Sequence, residues 1–164
     1  MNNYKDKVKQ DNRQQHNIQI TTGLKYDNPQ DRAMLDHMAH KFVSEHYKNY
    51  NDHLLNTLIR LEALPTGYSR AVEVNNQLQV LLCAEILPNW WLDQTDCHII
   101  CMLKQDNAPA DMIKILINDC EQWAQQQGAS TISIYSWNDR PAYDRWCGKL
   151  GYNPTQKTYT KELK

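Results

Sequence analysis

Two ionisable side chains lie inside otherwise apolar stretches of the sequence. Glu85 falls within 78–87 and His98 within 97–103. Histidine has an ordinary pKa near neutrality, so His98 suits proton transfer, and a carboxylate such as Glu85 is the other common general base. Each also has a structural interpretation. A lone histidine in a strand is more often a satisfied core residue, and Glu85 can face solvent from one side of its strand.

The remaining histidines and the cysteines give only weak metal signals. His37 and His40 share a helix face and His46 is nearby, but this spacing alone does not make a ligand set. The five cysteines are odd in number, lie in apolar segments and match no zinc-knuckle spacing. We therefore predict no metal site and reduced core cysteines, with Cys97 and Cys101 on one face of a strand.

Length and charge exclude several classes of protein. The chain has 164 residues, enough for one domain that is stable without disulfides or metals. Lys plus Arg (18) nearly balances Asp plus Glu (19), so no field favours nucleic acid or an acidic membrane surface. Residues 1–16 are polar and aperiodic, which predicts a flexible arm before a single domain at 17–164. With no apolar signal or membrane-spanning run in the sequence, we predict a cytoplasmic protein.

Apolar periodicity predicts the N-terminal elements. Alternation at 18–24 predicts a first strand. Helical spacing predicts a first helix from Asp31 to about Tyr47. Asp52 can cap a second helix, which must end before Pro65.

The rest of the chain alternates strands with one long helix. The apolar run 97–103 is typical of a central strand that is buried on both faces. Pro109 suits the first turn of a long helix that ends before Gly128, and Trp123 on its apolar stripe is predicted to be largely buried. This helix makes the strands on either side of it parallel neighbours. The strands are predicted at 71–74, 78–87, 97–103, 131–137 and 156–163, with an Asn75-Asn76 turn and a short helix at 141–150.

Two C-terminal segments carry a family resemblance. Residues 121–138 read EQWAQQQGASTISIYSWN, and residues 143–163 read YDRWCGKLGYNPTQKTYTKEL. In this order and separation, the chain resembles the Gcn5-related N-acetyltransferase (GNAT) superfamily over about residues 18–163. The resemblance implies an α/β (α+β) fold, with a mixed central sheet that is flanked by helices and splays between its fourth and fifth strands to admit acetyl-CoA. GNAT-like proteins encoded by bacterial viruses are similar in a looser way.

The resemblance places the cofactor pyrophosphate at the N-terminus of the long helix, where free amides and the helix dipole attract anions. Family members have Arg or Gln, two residues, Gly, one residue, and Gly or Ala. Here Ala108 holds the basic position, and Asp111 and Ile113 hold the glycine positions. Lys104 and Lys114 could compensate, unless they are ordinary surface lysines. The implied cofactor-binding residues are Cys101, Met102, Leu103, Ala108, Ala110, Asp111, Met112, Ile113 and Asn138.

The resemblance also implies catalytic roles. Acetylation of an amine needs a base, for which Glu85 and His98 are the candidates, and an acid for the leaving thiolate. Alignment on KLGY puts Cys147 at the position of the family's tyrosine, and Tyr143 one turn earlier is the alternative acid. Cys147 is also explained as a small buried residue of the helix face, and Tyr143 as a packing residue.

Two functions are compatible with these features. The first is an N-acyltransferase that moves an acetyl or other acyl group from coenzyme A to an amine of a small molecule or protein. Trp90 and Trp91 could then line the acceptor pocket, although packing over a sheet end is the commoner arrangement. The second is a catalytically silent GNAT-fold protein with a degenerate coenzyme A site, kept for binding a protein partner or for assembly.

Overall fold

The computed structural model describes residues 18–22, 28–46, 53–134 and 141–154, so the predicted arm at 1–16 and the predicted strand at 156–163 lie outside the described residues. No helix in these ranges is long and apolar enough to cross a bilayer. The elements are β1 (Ile18–Thr22), α1 (Pro29–His46), α2 (His53–Ala63), β2 (Gly67–Val74), β3 (Gln77–Asn89), β4 (Gln94–Lys104), α3 (Ala110–Gln126), β5 (Thr131–Ile134) and α4 (Pro141–Lys149).

One mixed sheet holds all the described strands, in the order β1-β2-β3-β4-β5. The first three pairings are antiparallel, whereas β4 and β5 are parallel from Asp96↔Thr131 to Ile99↔Ile134. Helix α3 provides the crossover that a parallel pair requires. The predicted mixed sheet flanked by helices is confirmed. The predicted splay between β4 and β5 falls beyond Ile134, outside the described residues.

Local sequence explains where two of these elements start. Asn28 caps α1, because its side-chain oxygen accepts a hydrogen bond from the Gln30 amide at 3.0 Å. Pro29 then occupies the first helical position, where no amide hydrogen is needed. The β2–β3 turn uses Asn75 and Asn76, with φ angles of 52° and 63°. Asparagine tolerates this left-handed backbone, so the predicted tight turn is confirmed.

Apolar side chains form a core on each face of the sheet. One core lies under α3 and includes Leu116, Ile117 and Cys120 of that helix. The other lies under α1 and α2 and includes Leu35 and Leu58. Trp123 was predicted to be largely buried, but it is only half-buried at the edge of the α3-side core, with its ring 5.2 Å from that of Tyr68. The predicted stripe is correct, but the end of α3 extends past the densest part of this core.

Strand β4 contains a bulge that changes the predicted faces of its cysteines. Cys83 pairs with Cys101 and Ala84 pairs with Ile99, so Ile100 is the extra residue. The bulge reverses the alternation, and Cys97 lies in the α3-side core whereas Cys101 lies in the core under α1 and α2. The prediction that Cys97 and Cys101 share one face is therefore wrong.

Strand β2 begins four residues earlier than predicted, at Gly67. The added Tyr68 is 2% exposed and donates a hydrogen bond to the Asp119 carboxylate of α3 at 2.6 Å. Arg70 reaches the same carboxylate at 2.5 Å. Burial and the neighbouring Asp119 raise the pKa of Tyr68 above its ordinary value, so its hydroxyl stays protonated as a donor. This network fixes α3 across β2.

Candidate functional site

A row of polar side chains crosses the sheet on the face that carries α1 and α2. Glu85 pairs with His98 across β3 and β4, and His98 pairs with Ser133 across β4 and β5. The flanking residues on all three strands belong to or pack against the α3-side core, so alternation directs these three side chains to the opposite face. All three are half-buried. The structure therefore brings together the two predicted bases and adds Ser133.

The polar row lies next to the β4 bulge. Ile100 has no pairing partner in β3, and the pairing between β4 and β5 extends to Ile99 within the part of the chain that is described. Bulges locally disrupt the ladder and redirect side chains, and they are frequent beside active sites. The predicted bases thus lie beside an interruption in the regular β3–β4 pairing.

Glu85 is a half-buried carboxylate with no hydrogen bond or ion pair to another described side chain. On the β2 side, Glu85 pairs with Gly67, which has no side chain. There the carbonyl of Leu61, near the end of α2, approaches closely enough that an added Cβ on Gly67 would lie 1.9 Å from its oxygen. Glu85 therefore lies beside a tightly packed helix end.

Asp96 lies next to the polar row, near the start of β4 and two residues before His98. It is 7% exposed and accepts hydrogen bonds from Asn89 at 2.6 Å, Thr131 at 2.8 Å and Gln94 at 3.1 Å. Burial alone would raise the pKa of Asp96, but these hydrogen bonds and the charge of His98 outweigh it and hold the pKa below the ordinary value. Asp96 is thus an ionised anchor that joins β3, β4 and β5.

The sequence interpretation missed both Ser133 and Asp96. Ser133 is the polar residue of the alternating segment TISI, so period-two alternation was an available signal. Asp96 precedes the apolar run that was taken as the strand, whereas β4 begins two residues before it at Gln94. Its role depends on Asn89 across the hairpin and on Thr131, which is 35 residues away in sequence, so no local pattern identifies it.

Several features of the loop between β4 and α3 are unfavourable for a diphosphate. The Ala108 amide donates to the Gln105 carbonyl at 3.1 Å, and the Met112 amide donates to the Pro109 carbonyl at 3.2 Å, so both are used internally. Asp111 is exposed in the first turn of α3 and carries the charge that a phosphate would repel. Pro109 is the residue that precedes this helix, and it is not within the first turn as predicted.

Two lysines near this loop are already engaged. The sequence leaves Lys104 and Lys114 either as compensating cations or as ordinary surface lysines. Lys114 is exposed, whereas Lys104 is half-buried and donates to the Ala108 carbonyl at 2.8 Å. Lys41 of α1 forms an ion pair with Asp106 in the loop. The Lys41 ammonium is thus paired with a carboxylate, whereas the Lys104 ammonium contacts a neutral carbonyl oxygen, and position 108 itself is a buried alanine at 4% exposure.

Most of the other predicted cofactor residues are core residues. Cys101 and Leu103 are buried under α1 and α2, whereas Met102, Met112 and Ile113 pack in the α3-side core. Their side chains therefore serve packing. Ala110 is the first residue of α3, and Asn138 lies outside the described ranges.

Helix α4 carries the two candidate acids. Tyr143 and Cys147, one turn apart, are both half-buried, so Cys147 is not a fully buried residue of the helix face. Burial raises the pKa of Cys147, although the neighbouring Tyr143 hydroxyl opposes this effect. Trp146 and Leu150 attach this part of the chain to the α3-side core. The candidate acids thus belong to a different layer from Glu85 and His98.

Trp90 and Trp91 are exposed in the structure and do not pack over the end of the sheet. Trp90 is 86% exposed and Trp91 is 95% exposed, at the β3–β4 turn. The prediction that they pack over a sheet end is wrong, because the turn projects beyond the neighbouring strands.

No group of three or more potential metal ligands occurs among the residues that the structure describes.

Comparisons with known proteins give structural neighbours but no sequence relatives. No protein-family model and no curated protein matches the sequence. A transcriptional regulator from Bacillus halodurans superposes with a TM-score of 0.72 at 11% identity, covering 89% of this chain and 99% of that one. A GNAT family acetyltransferase from Staphylococcus aureus gives 0.62 at 15% identity, covering 89% and 98%. An aminoglycoside 6'-N-acetyltransferase from Acinetobacter haemolyticus gives 0.64 at 15% identity, covering 90% and 98%. At these identities the similarity establishes the fold, which is that of the GNAT acetyltransferases.

Proposed function

We propose that the chain is a cytoplasmic N-acyltransferase that moves an acetyl or other acyl group from coenzyme A to an amine. The observation that carries this proposal is the Glu85–His98 pair beside the β4 bulge. Two groups that can accept a proton lie side by side on one face, and Glu85 has no partner among the described side chains.

The proton acceptors have a defined task. An amine arrives mostly as its ammonium ion at neutral pH and must lose a proton before its lone pair can attack. In this proposal Glu85 binds the ammonium group and accepts this proton, with His98 as its neighbour in the row. The free amine then attacks the thioester carbonyl, the C–S bond breaks, and coenzyme A leaves as its thiolate, which takes a proton from water. Ser133 offers a hydroxyl that can orient the same amine.

The electrostatic environment of the row supports an amine acceptor. From residue 71 to residue 103 the chain contains no Lys or Arg, and two carboxylates of this segment, those of Glu85 and Asp96, lie in the row or beside it. A region with one sign of charge raises the local concentration of oppositely charged ligands. A structural neighbour with the same fold is an aminoglycoside acetyltransferase, which is consistent with a cationic acceptor.

The test is a transfer assay with labelled acetyl-CoA and a panel of amines: a polyamine, an aminosugar and a lysine-containing peptide. Glu85→Gln should lower transfer by about 10²- to 10⁴-fold, the usual contribution of a general base. Asp93→Asn removes a carboxylate from the same hairpin outside the row and is the matched control. Absence of transfer to every amine, or equal rates in wild type and Glu85→Gln, would contradict the proposal.

A second candidate function is a binding or assembly protein that no longer uses coenzyme A. The β4–α3 loop favours it, because Lys41 and Lys104 are engaged and two loop amides are satisfied internally. A transcriptional regulator has the same fold, so the fold itself does not require acetylation. The loose resemblance to virus-encoded GNAT-like proteins agrees with this alternative. A direct titration with coenzyme A separates the two functions.

A further inference from the structure

The β3–β4 hairpin extends beyond the rest of the sheet. On the β2 side, the last backbone contact is the Ile86 amide, which donates to the Thr66 carbonyl at 2.8 Å. On the β5 side, the Ser130 amide donates to the Thr95 carbonyl at 2.8 Å. Residues 87–94, which we call the finger, lie past both contacts. At about 3.3 Å per residue, the finger extends by about 13 Å.

The tip of the finger is held in one conformation. The Asn89 side chain accepts a hydrogen bond from the Trp91 amide at 3.2 Å, and the Asn89 carbonyl accepts one from the Leu92 amide at 3.2 Å. The Asn89 amide group also donates to the buried Asp96 at 2.6 Å. These contacts connect the tip to the base of the sheet, so the two indoles are displayed in water by an ordered turn.

The finger carries most of the strongly exposed apolar surface in the described parts of the chain. Leu87 is 40% exposed, Trp90 86%, Trp91 95% and Leu92 65%. Leu87 lies on the stem and the other three lie at the tip. Exposed apolar side chains that are concentrated on one hairpin are typical of an interaction site.

We infer that the finger is a self-association surface, on which two copies of this chain lie antiparallel about a two-fold axis. The tip of each finger then packs on Leu87 of the other copy. The patch is self-complementary because stem and tip are both apolar, as a two-fold interface requires. The antiparallel overlap also covers Leu87, which tip-to-tip contact alone would leave in water.

The available area is sufficient for such a dimer. A buried tryptophan contributes about 150–250 Å², so the two exposed indoles offer about 270–450 Å² per copy. Complete burial of both indoles and both leucines on the two copies would remove about 1,000 Å² in total from water, which is near the lower limit for a specific interface. The absence of Lys and Arg between residues 71 and 103 disfavours an anionic lipid surface as the occupant. A weak, reversible dimer is the expected state.

Sedimentation equilibrium of the full chain, from low micromolar to several hundred micromolar, tests the inference. The wild type should show a reversible monomer–dimer equilibrium. Trp91→Ser should raise the dimer dissociation constant by about 30-fold or more, because a central tryptophan is a typical hot spot. Leu87→Glu on the stem should do the same. Ile59→Ser, which removes an apolar residue of 38% exposure on α2, is the matched control and should leave the equilibrium unchanged.

Several results would overturn the inference. A wild type that stays monomeric at the highest concentration excludes self-association, and so does a dimer that is unaffected by Trp91→Ser. A dimer that tolerates Leu87→Glu excludes the overlap of stem and tip. The wild type could instead be monomeric and float with phosphatidylcholine vesicles, while Trp91→Ser does not float. That result would assign the finger to a lipid surface. Thermal melts of each variant establish that loss of association is not loss of folding.

Discussion

Glu85 of β3 and His98 of β4 are direct partners across an antiparallel pair, so their side chains leave the sheet on the same face. If both serve the same proton, their contributions to acyl transfer are coupled. Glu85→Gln, His98→Asn and the double variant should therefore give non-additive losses in kcat/KM, with the double variant close to the worse single variant. Strictly additive losses in this cycle would show that the two residues act independently.

The second prediction concerns Asp96 and acid. The pKa of Asp96 is lower in the folded chain than in the unfolded one, so folding favours its ionised form. This stabilisation is complete above the unfolded pKa of about 4 and is lost as pH falls through the folded value. Asp96→Asn should lower the free energy of unfolding by about 1–3 kcal/mol at neutral pH, and the difference should shrink below about pH 4.

Denaturant melts at several pH values measure this difference. Asp93→Asn is the control, because Asp93 is exposed at the end of the same turn. A difference between wild type and Asp96→Asn that stays constant down to pH 3 would show that the carboxylate charge is not what the three donors recognise.

The third prediction concerns the contact between α2 and β2. A Cβ at Gly67 would lie 1.9 Å from the Leu61 carbonyl oxygen and 2.9 Å from its carbon, and both are backbone atoms that cannot rotate away. Gly67→Ala should therefore destabilise the fold by about 2 kcal/mol or more, as overpacking does. Gly148→Ala is the control, because no atom lies within 4 Å of its added Cβ. Equal stability of the two variants in denaturant melts would disprove the close approach.

The order of elements could be predicted because each one has its own pattern. Three local signals are the Asn75-Asn76 turn, the apolar stripe of α3 and the apolar run of β4. The order of the elements along the chain implied the mixed sheet. The bulge at Ile100 could not be predicted, since β4 is apolar on both faces and a one-residue shift leaves no mark on its pattern.

The candidate site was predictable only in part. Glu85 and His98 stood out as ionisable residues in apolar runs, but their pairing depends on the register between β3 and β4. The exposure of Trp91 was not predictable, because tryptophan is a residue type that is usually buried. Only the length of the finger places Trp91 in water. The engagement of Lys104 by the Ala108 carbonyl likewise required the conformation of the loop.

The last prediction separates the two functions through Asp111, which lies at a position where the GNAT resemblance implies a phosphate-binding glycine. If the enzyme uses coenzyme A, Asp111→Gly should tighten its binding, because a like-charge contact of about 1 kcal/mol is removed and the backbone can approach more closely. Stability should fall slightly, through loss of a helix-dipole contact of about 0.3–1 kcal/mol and the added backbone entropy of glycine. Asp144→Gly makes the same change in the first turn of α4 and should leave coenzyme A binding unchanged. Calorimetry at low and moderate salt measures all three proteins. If neither the wild type nor Asp111→Gly binds coenzyme A at about millimolar concentration, the binding or assembly protein is favoured. If both bind it equally, with micromolar affinity, the diphosphate lies away from Asp111.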